Sequence, residues 1–168
     1  MGSIAIWPTE PVGLAGVANA VAERVGEPVQ IAADPAGADR LVVIVTGSGD
    51  PVGPAIDSGA ATLVFVVGDG YLGTDVEDLS GALGGASAVA AARSLAVRTG
   101  SPRRANVVCI PERFLGSTGV LRGPLAAEVE VGDIADAVAF LLSDDAGYVH
   151  GQVLFVDGGR HLFSSMTA

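Results

Sequence analysis

Gly132-Asp-Ile-Ala-Asp-Ala-Val-Ala-Phe-Leu-Leu-Ser-Asp-Asp-Ala-Gly-Tyr-Val-His-Gly-Gln-Val-Leu-Phe-Val-Asp-Gly-Gly159 is the stretch from which the rest of the chain is best read. Ile134, Val138 and Leu141 recur at helical spacing, and Asp133 stands where it could cap that helix. Val153-Leu-Phe-Val156 is a strand-length apolar run, closed by Asp157-Gly-Gly159. A helix returning to a buried strand is the repeating unit of an α/β chain.

Upstream the same alternation recurs. Ser3 to Trp7 reads as a short buried strand, and Val12 to Val25 as a helix whose Leu14, Val17, Val21 and Val25 share a face and which Gly26 ends. Strands follow at Val29 to Ala32, Leu41 to Val45, Thr62 to Val67 and Ala105 to Ile110, the last closed by Pro111. Only a short helix fits between Pro54 and Thr62, after the loop Gly47-Ser-Gly-Asp-Pro-Val-Gly-Pro54. The Ala- and Leu-rich stretch from Asp75 to Thr99 is a helix by propensity, although Gly81, Gly84 and Gly85 each cost it ~1 kcal/mol relative to alanine. With 168 residues, 49% of them hydrophobic, and no repeat or low-complexity linker, one domain spanning 1–168 is expected.

Charge narrows the function classes. Acidic side chains outnumber basic ones 19 to 9, the net charge is −10, and the densest basic cluster is Arg103-Arg104, so nucleic acid and anionic membrane are excluded as expected partners. The apolar runs are far shorter than the ~20 residues of a spanning helix. Cys109 is the only cysteine, and the N-terminus carries no basic-then-apolar leader, so a cytoplasmic location is expected. All nine basic residues are arginine; there is no lysine. No metal site is expected.

The Gly132–Gly159 stretch resembles the ending of short-chain dehydrogenases/reductases, D-I-A-x-A-V-x-F-L-x-S-D-x-A-x-Y-x-T-G-Q-x-L-x-V-D-G-G. Ala91-Ala-Arg-Ser-Leu-Ala96 is similar to the family's helix bearing its tyrosine and lysine, and Ala105-Asn-Val-Val-Cys-Ile-Pro111 to its R-V-N-x-V-x-P-G strand. Together these lie within residues 91–159, somewhat under half the chain. The resemblance implies a reduced Rossmann-like three-layer fold with a mostly parallel sheet of about six strands. Its third strand and the accompanying helix are deleted, because only Ala33 to Arg40 separate the second strand from the next.

Counting back from Arg93-Ser-Leu-Ala96, the family's tyrosine falls on Gly81, its lysine on Gly85 and its serine on Gly68. The chemistry needs a phenol to pass the proton, a lysine to lower its pKa and a hydroxyl to hold the substrate oxygen. Glycine offers none of these, and a lysine-free chain has no replacement cation of that kind. The family's phosphate loop T-G-x-x-x-G-x-G falls on Pro8 to Ala15, where its three glycine positions are Thr9, Gly13 and Ala15, so that only Gly13 survives. Pro8 and Pro11 remove two amide donors, and Glu10 sets a negative charge where phosphates would sit. No cofactor is expected on this chain.

The family's tyrosine-bearing helix and its last helix and strand form subunit interfaces. Gly81, Gly84, Ala88 and Ala92 would let another helix approach closely, and Val138, Leu142, Phe155 and Phe163 belong to the second surface. The resemblance thus implies a non-catalytic subunit that joins an active, NAD(P)-binding short-chain dehydrogenase in a hetero-dimer or hetero-tetramer. The partner's substrate would be a 3-hydroxyacyl thioester or hydroxysteroid. A stand-alone small-ligand or regulatory module is the alternative, and residual oxidoreductase activity a weaker one. Four further residues draw bland readings: Tyr71 packs or is exposed, His150 belongs to a turn or interface, Cys109 lies in the core, and His161 belongs to an interface tail. Gly47 to Asp50 follows a strand as a phosphate loop would, but no lysine follows it.

Overall fold

The computed structural model describes residues 3–7, 15–46, 52–72, 79–98, 102–111, 114, 125 and 128–162. The strands are β1 (Ile4–Trp7), β2 (Val29–Ile31), β3 (Arg40–Ile44), β4 (Thr62–Gly68), β5 (Arg104–Ile110) and β6 (Val153–Phe155). The helices are α1 (Ala15–Val25), α2 (Val52–Asp57), α3 (Leu79–Ala96) and α4 (Val131–Leu142). All strand pairs are parallel, in the order β2-β1-β3-β4-β5-β6.

The strands read as unbroken β-branched runs because both faces of the sheet are covered. Val42, Ile44, Val64, Val66, Val108 and Ile110 pack under α1 and α4, while Leu41, Val43, Leu63, Phe65, Val107 and Cys109 face α2 and α3. Each fully buried side chain of this size contributes ~1.5–3 kcal/mol against its exposed state. Val17 and Val21 anchor α1 to the sheet as their spacing predicts, and Leu14 lies outside the described residues.

The expected missing strand is missing. Between β2 and β3 the chain makes only a turn, in which Asp34 Oδ1 accepts from Ala36 N (2.8 Å) and Ala33 O accepts from Trp7 Nε1 (3.1 Å). β2 is therefore one edge of the sheet, three residues long between Pro28 and Pro35, and the equally short β6 is the other.

Asp133 does not cap α4 as its position suggested. The helix starts two residues earlier with Glu130 at the N-cap, and Asp133, at N3, accepts from Glu130 N (2.8 Å). Arginines close other helix ends. Arg104 donates to Leu141 O and Ser143 O at the end of α4, and Arg103 to Ile56 O and Ala60 O after α2. Burial pushes both guanidinium groups below their ordinary range. Arg24 ties α1 to α4 through Asp136 (2.7 Å).

Candidate functional site

In a sheet of this order the chain reverses direction between β1 and β3, and ligands of such folds settle at the carboxyl ends of the strands beside that switch point. The loops leaving β1 and β3 lie outside the described residues, and with them Thr9, Gly13 and Gly47 to Asp50. Ala15 is the first residue of α1. Past β2, where this fold class places an acid for a ribose hydroxyl, Asp34 commits one carboxylate oxygen to its own turn.

The carboxyl ends of β4, β5 and β6 are well defined. Gly68 ends β4 opposite Ile110, and the chain enters a 3-10 turn at Asp69–Leu72 that holds Tyr71. Gly81 and Gly85 lie in the first half of α3, which packs on β4, β5 and that turn. These three glycines carry no side chain that can take, give or hold a proton.

The buried carboxylate here is Asp157, 3% exposed. Its Oδ1 accepts from Gly159 N (2.9 Å), its Oδ2 from His161 N (2.7 Å), and His161 Nδ1 lies 2.9 and 3.1 Å from the two oxygens. The His161 ring stacks on Phe155 with centroids 4.0 Å apart and planes 15° apart. Next to it, Arg160 Nη1 reaches Asp69 Oδ2 at 3.3 Å. A cleft of about 410 Å³ opens between this turn and the start of α4, with Leu125, Val129, Phe155 and Val156 on its walls and Glu128 and Asp133 as its acids. Among the described residues no three His, Cys, Asp or Glu side chains converge as metal ligands would.

The structure corrects part of the expected interface. Ala88, Ala92, Val138 and Leu142 are at most 2% exposed and pack in this chain's own core, so no partner can touch them while the chain stays folded. Gly84 faces inward as well: a Cβ there would meet Val45 Cγ1 at 2.9 Å, so its lack of a side chain lets α3 approach its own sheet. Gly81 is half-buried, Phe155 lies under His161, and Phe163 is outside the described residues. On α3 the side chains free for a partner are instead Leu79 and Leu83, 64% and 62% exposed, followed by Ala86, Ser87 and Ala90.

Two residues the sequence reading passed over organise the approach to β6. Asn106, fully buried, donates from Nδ2 to Val149 O (2.9 Å) and accepts at Oδ1 from Gln152 N (3.0 Å). Gly151, at φ +70°, passes so close to α3 that a Cβ would come within 2.7 Å of Ala96 Cβ. His150 lies between the turn at Gly147 and Tyr148 and the start of β6, its Nδ1 accepting from Ala105 N (3.0 Å). Asn106 was visible as the asparagine of the strand motif; nothing in the sequence marked its partners.

Residues 115–161 match the family model described as enoyl-(acyl carrier protein) reductase. The chain is 40% identical over 57 residues to short-chain dehydrogenase reductase 3a of Arabidopsis thaliana, a match covering 34% of this chain and 21% of that protein. This part of the chain is similar to the short-chain dehydrogenase/reductase family. It is also 51% identical over 43 residues to the BbsD subunit of (2S)-((R)-hydroxy(phenyl)methyl)succinyl-CoA dehydrogenase from Thauera aromatica, covering 26% of this chain and 17% of that one. These sequence matches span about a fifth or less of the relatives' own lengths. The short-chain dehydrogenase/reductase fold extends further: the 3-alpha-hydroxysteroid dehydrogenase of Pseudomonas sp. B-0831, solved with NADH, superposes with a TM-score of 0.71 at 21% identity, covering 99% of both chains.

Proposed function

We propose that this chain is a non-catalytic short-chain dehydrogenase/reductase subunit that assembles with an intact relative, which supplies the dinucleotide and the serine, tyrosine and lysine. The observation that carries this is α3: it keeps the fold's packing on β4 and β5, yet its aligned catalytic positions are Gly81 and Gly85, in a chain without lysine. Proton transfer through a phenol needs a neighbouring cation to bring its pKa toward neutrality, and α3 offers neither group. Pro8, Glu10 and Pro11 oppose pyrophosphate binding by removing donors and adding charge, so this chain's own residues do not fit NAD(P).

Two findings support a partner. The outer face of α3 leaves Leu79 and Leu83 in water, and burying that apolar surface on a second helix would be favourable. The Thauera relative is itself named as one subunit of its enzyme, and its named substrate, a succinyl-CoA derivative, agrees with an acyl-thioester substrate for the partner. The neighbour solved with NADH keeps a hydroxysteroid in view.

Co-expression with an intact short-chain dehydrogenase encoded beside this chain tests the proposal. A hetero-oligomer whose dehydrogenase activity needs both chains is expected. A purified chain that remains a monomer or homodimer beside that enzyme, or that binds NADH saturably in the micromolar range, would sink the reading. A stand-alone ligand-binding module is the second reading, favoured by the 410 Å³ cleft beside Phe155 and Leu125; saturable binding of a small apolar ligand without the partner would support it.

A further inference from the structure

We propose that the turn from Asp157 to Leu162 is a latch, which closes the carboxyl edge of the sheet across the end of β5 and fastens the C-terminal segment to the end of β4. This goes beyond the subunit reading and does not depend on it.

The register fixes the span. Phe155 of β6 pairs with Cys109, and Gly68 of β4 pairs with Ile110, so β5 lies between the two ends. With neighbouring strands ~4.8 Å apart, β4 and β6 are ~10 Å apart, more than a short side chain can bridge. Arg160 covers that distance and places its guanidinium on the carboxylate of Asp69, the residue directly after Gly68. The Asp69 side chain is only 9% exposed and that of Arg160 25%, so water screens the pair less than it would on an open surface.

The turn carrying Arg160 is itself held rigid. Asp157 accepts the amides of residues 159 and 161, and His161 is fixed between that carboxylate and the Phe155 ring. Arg160 N donates to Asp157 O (3.2 Å), so the backbone cannot swing Arg160 away without opening the same turn. One end of the latch is thus preorganised on β6, and the other is an ion pair that can be made or broken. Closed, it sets a cation of the chain's own beside Gly68, on the rim where relatives would admit a substrate oxygen. Opened, it would uncover Asp69 and loosen the 69–72 turn.

Amide hydrogen exchange on the purified full chain tests this. In Arg160→Gln the amides of residues 69–72 should exchange roughly fivefold faster, together with those of 158–162, while α4 stays as protected as before. Asp69→Asn should give the same pattern, and the double variant should be no worse than either single one, because both remove one interaction. Should a variant fold poorly, the wild-type chain in ~1 M salt against ~0.05 M provides the same comparison, with faster exchange at both segments expected. Unchanged protection at 69–72 when Arg160 is replaced, or effects of the two single variants that simply add, would overturn the latch.

Discussion

Asp157 accepts two backbone amides and holds a histidine ring while nearly excluded from water, so its loss should be felt well beyond a surface substitution. Asp157→Ala leaves those donors without their acceptor and should destabilise the chain by about 1–3 kcal/mol, read as a lower urea midpoint with an unchanged m-value. The sequence displayed Asp157 as part of a motif, but its job depends on a turn that brings His161 back four residues later. Arg160 and Asp69 were less visible still, since 91 positions of chain separate two residues that meet only through the order of the strands. Gly68, Gly81 and Gly85 stood out because the resemblance, counted along the chain, sets a reactive side chain of the family against each.

Among the elements, the strands were legible and the facing of α3 was not. A strand buried on both sides declares itself as a run of β-branched residues, as in Leu63 to Val67. α3 is small and apolar around most of its circumference, so spacing alone did not say which side lies on the sheet. Gly84 and Ala88 read as room for another helix and proved to be room for β3 and the core. Replacing Gly84 by alanine should therefore destabilise by about 1–2 kcal/mol despite the better helix propensity, because the stiff, buried Val45 must give way. Gly151→Ala should cost more, roughly 2–4 kcal/mol, since it combines a positive φ with a collision against Ala96; thermal melts of the two variants check the ranking. Leu83, by contrast, points into water, so Leu83→Arg should leave the chain's circular dichroism and melting unchanged while reducing its co-elution with the proposed partner at least tenfold.

For the whole molecule, the absent third strand followed from eight residues between two apolar runs once the resemblance supplied the frame, whereas the order of the strands came only with the structure. The two loops that flank the switch point resisted such reading, because proline, glycine and charge specify which contacts are missing rather than which path the backbone takes. Their composition still makes a prediction: titrating the chain alone with NADH or NADPH should give no saturable change in Trp7 fluorescence in the micromolar range, whereas the proposed complex should bind through its second subunit. The shortness of β2 matters here too. Among the described residues no strand lies beyond β2, which leaves backbone donors and acceptors facing outward, the usual template for one chain to polymerise onto another. Yet it offers three residues, about 10 Å, stopped by Pro28 on one side and Pro35 on the other, and β6 ends the sheet just as abruptly. A sheet trimmed in this way can forgo its outer strand without becoming a seed for fibres.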